Sequence, residues 1–438
     1  MRNGLKARIG ALLAVLLLLV CSVPAFAAEA DGTDAATRIA DIASALRDPS
    51  GRLLAVSKYG DTSQYPENSA AAITAAAEAG ADMVYVHVRK TADNYFILMA
   101  DENLSRMCVD ELGNVLDRNV SEIGYHALSA CHLRSGTGNL HESITEYTVP
   151  TLSEAIAAAR ASGVLLLLDG VWDFRDEVYE QLSTEGTLGN VVFLARGDRG
   201  EVSDWMQSKT QMPLVISAYT GNVIFSAKSA VSRTLSAGAV GTLLGSSNSY
   251  SVVFGDSVMS EFSEKGRGVI DMTDPELCGD REDNYIGYND VTARGYSVII
   301  TNHITELCEY YARVSTQENR LSTALASAQQ IDVTLCSTDS ANELKDAISV
   351  ARDALSAPVS ENSLMQANYT LSLAVSGLTN RTEDSGGTTV TAGRVIAAVL
   401  VVAALVVLEI VVMRIRRKKL EKRKRARRRE REQQQHDE

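Results

Sequence analysis

Four polar residues end or interrupt short apolar runs in the N-terminal half of the chain, where side chains could bind a ligand or transfer protons. Tyr85 and His87 stand two positions apart within one run, so they point to the same face of an extended strand. Lys58 follows an earlier run and Asp169 ends a later one. Lysine and histidine can bind a phosphate group, and aspartate can transfer protons or bind a divalent cation. These residue types are suited to a ligand site.

Other histidines and a tryptophan are weaker candidates for a functional site. His126, His132 and His141 lie in a polar stretch, which favours exposed loop residues over metal ligands. Trp172 comes soon after Asp169, where a pocket wall and a simple packing residue are equally good interpretations.

Five cysteines lie beyond residue 27. Their number is odd, and they are scattered along the chain without CxxC spacing. They are Cys108, Cys131, Cys278, Cys308 and Cys336. This set predicts neither a zinc site nor a disulfide scaffold, although a single bridge such as Cys108 to Cys131 stays open.

Nine short runs of aliphatic and β-branched residues predict the strands that position these side chains. They are 53–56, 83–88, 95–99, 164–168, 191–194, 214–218, 240–244, 269–272 and 297–301. Helical stretches separate most of them, and Thr151 with Glu154 predicts a capping box at the start of one helix. Eight or nine strands that alternate with helices predict a parallel α/β fold.

After residue 313 the strand pattern gives way to helical periodicity. Four apolar residues share one helical face: Leu344, Ile348, Ala351 and Leu355. Pro358 separates this helix from the next one. We therefore predict a three-helix bundle over residues 314–382, which weakly resembles the FIVAR-type modules of bacterial surface proteins. A Gly- and Thr-rich linker at 383–393 follows.

The two ends of the chain predict export and anchoring. Residues 1–27 combine basic residues, an apolar run and a small-residue cleavage site, which is typical of a signal peptide; lipidation at Cys21 is the disfavoured alternative. Residues 394–413 are apolar enough for a single transmembrane helix. The basic tail at 414–438 predicts that the C-terminus stays in the cytoplasm and the N-terminal region lies outside.

Charge sets limits on the partners. The formal net charge is -13, although the tail is strongly basic, so the remaining chain is more acidic than the total suggests. An acidic exterior argues against binding polyanions, and we expect no nucleic-acid partner. The tail is expected to attract the anionic lipids of the inner leaflet.

Five motifs together resemble the glycerophosphodiester phosphodiesterase family in order and spacing. They are Lys58-Tyr59-Gly60 with Pro66-Glu67-Asn68, then residues 80–88, 100–106, 150–154 and 295–301. The resemblance covers residues 51–313, after an N-terminal helical segment at 28–50. It implies a TIM-like (β/α)8 barrel that hydrolyses glycerophosphodiesters with a bound divalent cation such as Mg²⁺ or Ca²⁺.

The resemblance also implies where acid and base catalysts should stand, and both positions are changed. The first catalytic histidine of the family corresponds to Lys58, with Tyr59 in place of an arginine. The second corresponds to Ala100, ahead of the retained Asp101. Lysine is a poor base near neutral pH, and alanine transfers no proton.

Two of the three metal positions are changed as well. The Glu-x-Asp pair of the family corresponds to Tyr85 and His87, neither of which is the hard oxygen anion that Mg²⁺ or Ca²⁺ prefers. Asp169 is the one matching carboxylate, with Val171 where the family usually has a lysine. Near the seventh strand, 271–274 replaces another substrate-side stretch of the family.

The sequence favours a barrel that binds a ligand or partner without catalysis and needs no cofactor. An active phosphodiesterase with altered residues and bound Mg²⁺ or Ca²⁺ is the alternative, and a purely structural surface module is the third hypothesis. The predicted pocket residues are Lys58, Tyr59, Glu67, Tyr85, His87, Asp101, Asp169 and Trp172.

Overall fold

The computed structural model describes residues 32–139, 141–219, 227–249, 251–357 and 359–379. The predicted signal peptide, linker, membrane helix and basic tail lie outside these residues. Among the residues described, no helix is both long and apolar enough to cross a membrane. The chain divides into two units, Met1–Asp332 with Asp339–Leu378, and Val333–Thr338 with Thr379–Glu438.

In the first unit, eight parallel strands of the described chain close a barrel, and four further strands lie outside it. The strands are β1 (Leu54–Lys58), β2 (Met83–Lys90), β3 (Phe96–Leu98), β4 (Cys108–Val109), β5 (His132–Arg134), β6 (Ile144–Thr148), β7 (Leu165–Asp169), β8 (Val191–Ala195), β9 (Leu214–Ala218), β10 (Gly241–Leu243), β11 (Arg267–Asp271) and β12 (Tyr296–Thr301). Within the described part of the chain, eight of them form the barrel in the order β1, β12, β11, β10, β9, β8, β7, β2. The pairing of β1 with β2 closes it, and the predicted α/β barrel is confirmed.

Helices alternate with the barrel strands, as a (β/α)8 fold requires. The helices are α1 (Gly32–Arg47), α2 (Ala70–Glu78), α3 (Tyr125–Leu128), α4 (Leu152–Ala161), α5 (Arg175–Glu185), α6 (Arg199–Gln207), α7 (Ala227–Ser236), α8 (Asp256–Lys265), α9 (Pro275–Cys278), α10 (Tyr285–Arg294), α11 (Ile304–Ala328), α12 (Thr338–Ser356) and α13 (Glu361–Ser376). Thr151 and Glu154 form the predicted capping box at the start of α4.

One predicted strand and one predicted loop take a different form. The run at 95–99 gives β3, which pairs antiparallel with β2 and is not a barrel strand. The polar stretch that follows contains a small antiparallel sheet, β4, β5 and β6, which the sequence did not predict. His126 and His141 are exposed as predicted, but His132 lies half-buried on β5.

The N-terminal helix closes the bottom of the barrel. Ile39, Ile42 and Leu46 on α1 belong to one buried cluster with the residues inside the barrel. Arg38 of α1 donates a hydrogen bond of 2.7 Å to the carbonyl of Ala81, just before β2. Apolar packing and hydrogen bonds therefore hold α1 against the end of the barrel opposite the strands' carboxyl termini.

A buried arginine fixes the chain between α1 and β1. Arg267, at the start of β11, is fully buried. Its guanidinium donates hydrogen bonds to the carbonyls of Asp48 at 2.8 Å, Gly51 at 2.7 Å, Arg52 at 2.5 Å and Ser297 at 3.3 Å. Burial lowers its pKa to about 10, so it stays charged at neutral pH.

The last barrel helix continues without a break into the C-terminal helices. α11 runs through residue 313, where the sequence predicted a domain boundary. Its buried residues include Leu307 near the barrel and Leu325 farther along. The α13 helix buries Leu364 and Leu371 on one face. The domain limits and the FIVAR resemblance stay predictions.

Replacing Arg267 should destabilise the barrel. Arg267→Met removes a buried guanidinium that donates to four carbonyls, and we expect the free energy of unfolding to fall by about 3 kcal/mol. Urea unfolding followed by the fluorescence of Trp172 and Trp205 measures this. Arg320→Met, at an exposed position of α11, is the matched control; an equal loss in both variants would contradict the role given to Arg267.

Candidate functional site

The predicted site residues of the barrel strands meet at one mouth. Lys58 ends β1 and is the register partner of Tyr85 on β2. His87, two residues farther along β2, is the register partner of Asp169, which ends β7. Because the strands are parallel, their carboxyl ends form the face on which TIM barrels carry their active sites. The structure therefore brings these four residues together as the sequence predicts.

Asp169 is the buried centre of this mouth. Arg196, the residue after β8, binds both of its carboxylate oxygens, with Nε 2.7 Å from Oδ1 and a terminal nitrogen 2.9 Å from Oδ2. The Tyr85 hydroxyl donates a short hydrogen bond to Oδ2. Nδ1 of His87 lies 3.7 Å from the same oxygen, an electrostatic contact and not a hydrogen bond. Asp169 thus has three partners, two of them hydrogen-bonded.

The protonation states follow from these contacts. Burial alone would raise the pKa of Asp169, but the His87, Arg196 and Tyr85 side chains together hold it well below its usual range. Burial and the neighbouring carboxylate raise the pKa of Tyr85 above its usual range, so the phenol stays protonated. Asp169 is accordingly an anion that is fully paired within the protein.

Lys58 belongs to a second ion pair at the mouth. Its Nζ donates to Oδ2 of Asp271 at 2.9 Å and to the hydroxyl of Thr273 at 2.5 Å. The Thr273 amide and hydroxyl donate in turn to Oδ1 of Asp271, at 2.9 and 2.7 Å. This network holds in place the ammonium group of the residue that the sequence resemblance aligns with the family's first catalytic histidine.

Tyr59 lies between the two ion pairs. Its backbone has a φ of 60°, in the left-handed region, and its amide donates to the carbonyl of Tyr85. The rings of Tyr59 and Tyr85 meet edge to face at 5.6 Å, and Lys58 Nζ lies 5.7 Å from each ring centroid. Burial and three nearby carboxylates, first that of Glu67, raise the pKa of Tyr59. The tyrosines fill the space between Lys58 and Asp169.

Glu67 and Asp101 form a separate cluster around Arg106. One terminal nitrogen of Arg106 lies 2.5 Å from Glu67, and Nε lies 2.5 Å from Asp101. Arg106 also donates to the carbonyl of Thr137. Burial raises the pKa of Glu67 against the opposing effect of Arg106. The contact with Glu67 therefore links the segment between β3 and α4 to the residues just before α2, while the contact with Asp101 lies within that segment.

Two further predicted positions offer no proton-transfer group. Ala100, which the sequence resemblance aligns with the family's second catalytic histidine, accepts a 2.6 Å hydrogen bond from Arg89 through its carbonyl. Trp172 is buried in a short 3-10 helix. It packs edge to face on Trp205 at 5.4 Å, with Arg175 over its ring at 4.4 Å. Of the two interpretations of Trp172, the structure favours packing.

The residues around Asp169 do not fit the divalent cation of the resembled family. The guanidinium of Arg196 takes both carboxylate oxygens, and the other neighbours are a protonated phenol and an imidazole. Hard cations prefer several oxygen ligands, chiefly carboxylates. Among the described residues no group of three or more His, Cys, Asp or Glu could hold a metal ion.

Sequence reasoning missed Arg196, and it noted Asp271 and Thr273 only as part of a changed substrate-side stretch, not as partners of Lys58. Arg196 directly follows β8, and Asp271 ends β11. A search for polar residues at every strand end would have found both, since those ends meet at one face.

Comparison with known proteins gives one family. Residues 60–188 match the model of the Glycerophosphoryl diester phosphodiesterase family. The matched segment contains the positions of Tyr85, His87, Ala100 and Asp169 and starts two residues after Lys58. No match was found among curated proteins.

Solved structures that match part of this chain include three phosphodiesterases. A glycerophosphoryl diester phosphodiesterase from Parabacteroides distasonis is 19% identical, with 62% of this chain and 90% of that chain covered and a TM-score of 0.49. One from Thermotoga maritima is 16% identical, covering 59% and 98%, with a TM-score of 0.44. An Oleispira antarctica phosphodiesterase, in complex with the product sn-glycerol-3-phosphate, is 15% identical, covering 58% and 95%, with a TM-score of 0.42.

The family match and the motifs agree on the same stretch of the barrel, so the resemblance that the sequence indicates is confirmed. The chain carries a glycerophosphoryl diester phosphodiesterase-like domain.

Proposed function

We propose that this chain is a membrane-anchored, extracytoplasmic binding module that uses a phosphodiesterase-like barrel without hydrolysing phosphodiesters. One observation carries the proposal: Arg196 occupies both oxygens of Asp169, the single carboxylate that remains at a metal position of the family. The guanidinium of Arg196 thus takes the place beside Asp169 where a metal cation would otherwise bind.

In the part of the chain that the structure describes, the mouth lacks the groups that phosphodiester hydrolysis needs: a general base, a general acid and the ligands of a Lewis acid. A general base needs a free lone pair, and the Lys58 ammonium has none while it donates to Asp271 and Thr273. Ala100 has no titratable group. The guanidinium of Arg196 can form hydrogen bonds but has no open coordination position with which to act as a Lewis acid.

The exposed part of the mouth suits a small phosphate ester. The side chains of Lys58, His87 and Arg196 remain 16%, 20% and 38% exposed, and all three are basic. Their carboxylate partners are nearly buried. A ligand at the mouth would thus meet hydrogen-bond donors first, which favours an anionic group such as a phosphate.

The anchoring part of the proposal comes from the two ends of the sequence. The predicted signal peptide, the apolar stretch at 394–413 and the basic tail together favour a single-pass protein of the cell membrane with its barrel outside. In this arrangement the module would present its mouth at the cell surface to a ligand or a partner protein.

An enzyme assay separates this proposal from an active phosphodiesterase with altered residues. We expect the full-length protein to release no glycerol 3-phosphate from glycerophosphodiesters with Mg²⁺, Ca²⁺ or Mn²⁺, since each missing proton-transfer group typically costs about 10²- to 10⁴-fold in rate. In contrast, glycerol 3-phosphate alone should raise the melting temperature, and less so in Arg196→Gln. Turnover that disappears in Asp169→Asn or Lys58→Met would refute the proposal.

Rebuilding the carboxylates should create a metal site. In the triple variant Tyr85→Glu, His87→Asp, Arg196→Ala, three carboxylates face one another without a guanidinium. We expect this variant to bind one Mn²⁺ with a dissociation constant of about 1 mM or below, and to gain melting temperature with the metal. The unmodified protein should do neither. Adding Asp169→Asn to the triple variant is the control, and Mn²⁺ binding that survives it would place the metal elsewhere.

The ion pair between Asp169 and Arg196 should make the stability of the protein depend on pH in the acid range. Its folded-state pKa is lowered, so its contribution to stability is fully present above the unfolded pKa of about 4 and is lost as the pH falls toward the folded value. We expect Asp169→Asn to be less stable than the unmodified protein at pH 7, with the difference shrinking below about pH 4. A double-mutant cycle with Arg196→Gln should give a coupling of roughly 2 kcal/mol at pH 7. A coupling near zero would show that the pair does not stabilise the fold.

A further inference from the structure

Among the residues that the structure describes, the last helix carries an apolar stripe that stays about half exposed. Met365, Tyr369 and Leu373 follow one another at intervals of four along α13 and are 49%, 51% and 45% exposed. Residues spaced by four lie on one side of a helix. On its other side α13 already buries Leu364, Ala367, Leu371 and Ala374. The stripe is therefore additional to the face that holds α13 in the fold.

The charge pattern separates this surface from its surroundings. Glu361, at the first position, is the one charged residue of α13. The neighbouring helix α12 carries charges along its length: Asp339, Glu343, Lys345, Asp346, Arg352 and Asp353. An ordinary solvated helix face resembles that of α12. An uncharged face with three large apolar residues is typical of a contact surface.

The position of the stripe in the chain indicates its partner. α13 ends at Ser376, and the predicted membrane helix starts at residue 394. Even fully extended, the chain between them spans at most about 60 Å, so an anchored protein keeps the stripe close to the membrane. Copies anchored in one membrane share an orientation and a high local concentration.

We propose that the stripe Met365, Tyr369 and Leu373 pairs two copies of this chain side by side on the membrane. The pairing rests on the anchoring part of the proposed function but not on the ligand or on the absence of hydrolysis. The same face of each copy would meet across a two-fold axis, as in most homodimers.

Two physical arguments favour a second copy over other partners. The exported region is acidic, so two copies repel each other over most of their surfaces, and the uncharged face of α13 is where they approach at least cost. Three side chains bury too little area for a stable dimer in solution. Anchoring in one membrane supplies the concentration that such a small contact needs.

Cysteine cross-linking in membranes tests the pairing. Full-length protein carrying Tyr369→Cys, with the half-buried Cys308 and Cys336 changed to serine, is reconstituted in phosphatidylcholine vesicles and oxidised. The control is Val350→Cys in the same background, since Val350 on α12 is 47% exposed. We expect roughly tenfold more disulfide-linked dimer from position 369 than from position 350. Equal yields at the two positions would overturn the proposal.

A second measurement covers the other partners that the stripe could have. Energy transfer between labelled copies should be lost in the Met365→Lys, Tyr369→Lys, Leu373→Lys variant and kept in Gln366→Lys, Thr370→Lys, which adds charge to the next face of α13. Absence of cross-links at position 369, together with quenching of a fluorophore there by brominated lipid, would assign the stripe to the lipid surface and overturn the pairing. Slow thiol labelling at position 369 in a monomer would assign it to a segment of the same chain, with the same consequence. Membrane fractionation reports on the anchor independently.

Discussion

Asp169 is a buried carboxylate at the mouth of the barrel, and it needs a positive charge beside it. The neighbouring side chains must meet that requirement. An unpaired buried carboxylate would cost several kcal/mol or would take up a proton. Here Arg196 supplies the charge, with bidentate geometry on both oxygens, and Tyr85 donates to one of them. A metal ion could meet the same electrostatic need, but an ion can leave and can coordinate a substrate. The guanidinium stays bound to the chain and its donors are directed at the carboxylate, so the site gains permanence and gives up Lewis acidity.

The end of the barrel opposite the mouth carries stabilising contacts of its own, so residues at the mouth can differ without loss of the fold. At the bottom, α1 packs its apolar residues into the barrel cluster, and Arg267 donates to four carbonyl groups around the link to β1. Tyr85 belongs to both the barrel cluster and the Asp169 network, but the hydrogen bonds of Arg267 involve none of the residues that contact Asp169. In TIM barrels this separation between a stability face and a functional face lets the mouth change while the strands remain. The replacements at Lys58, Tyr85 and His87 fit that division.

The sequence predicted the barrel well because its signals are local. Apolar runs such as 165–168 show burial on both faces, and eight of the nine predicted runs became barrel strands. The sheet of β4, β5 and β6 lies in the segment between β3 and α4. It was missed because these strands are held by pairing with one another, and their sequences show no clear alternation of apolar and polar residues. At the site, strand ends correctly brought Lys58, Tyr85, His87 and Asp169 together.

What the sequence could not show was how these residues pair. Asp169 could equally have faced water, a metal or a cation, and only the position of the loop after β8 brings Arg196 to it. In the same way, Lys58 could have pointed into an open pocket, whereas the close approach of β11 gives it Asp271 as a partner. Pairing across a barrel mouth depends on distances between residues far apart in the chain, which residue types and local spacing do not encode.

The paired charges also set how a ligand can bind. Lys58 and Arg196 each already contact a carboxylate, so an incoming phosphate must share these cations with Asp271 and Asp169 and gains little net Coulomb energy. One mouth should therefore hold such a ligand weakly. Two copies joined through the stripe on α13 would present two mouths at one place on the membrane, and ligands that are themselves displayed on a surface would then bind through both. Weak individual sites, membrane anchoring and side-by-side pairing are thus consistent with one another as properties of a surface-binding module, whereas an enzyme that turns over a soluble substrate would gain from none of them.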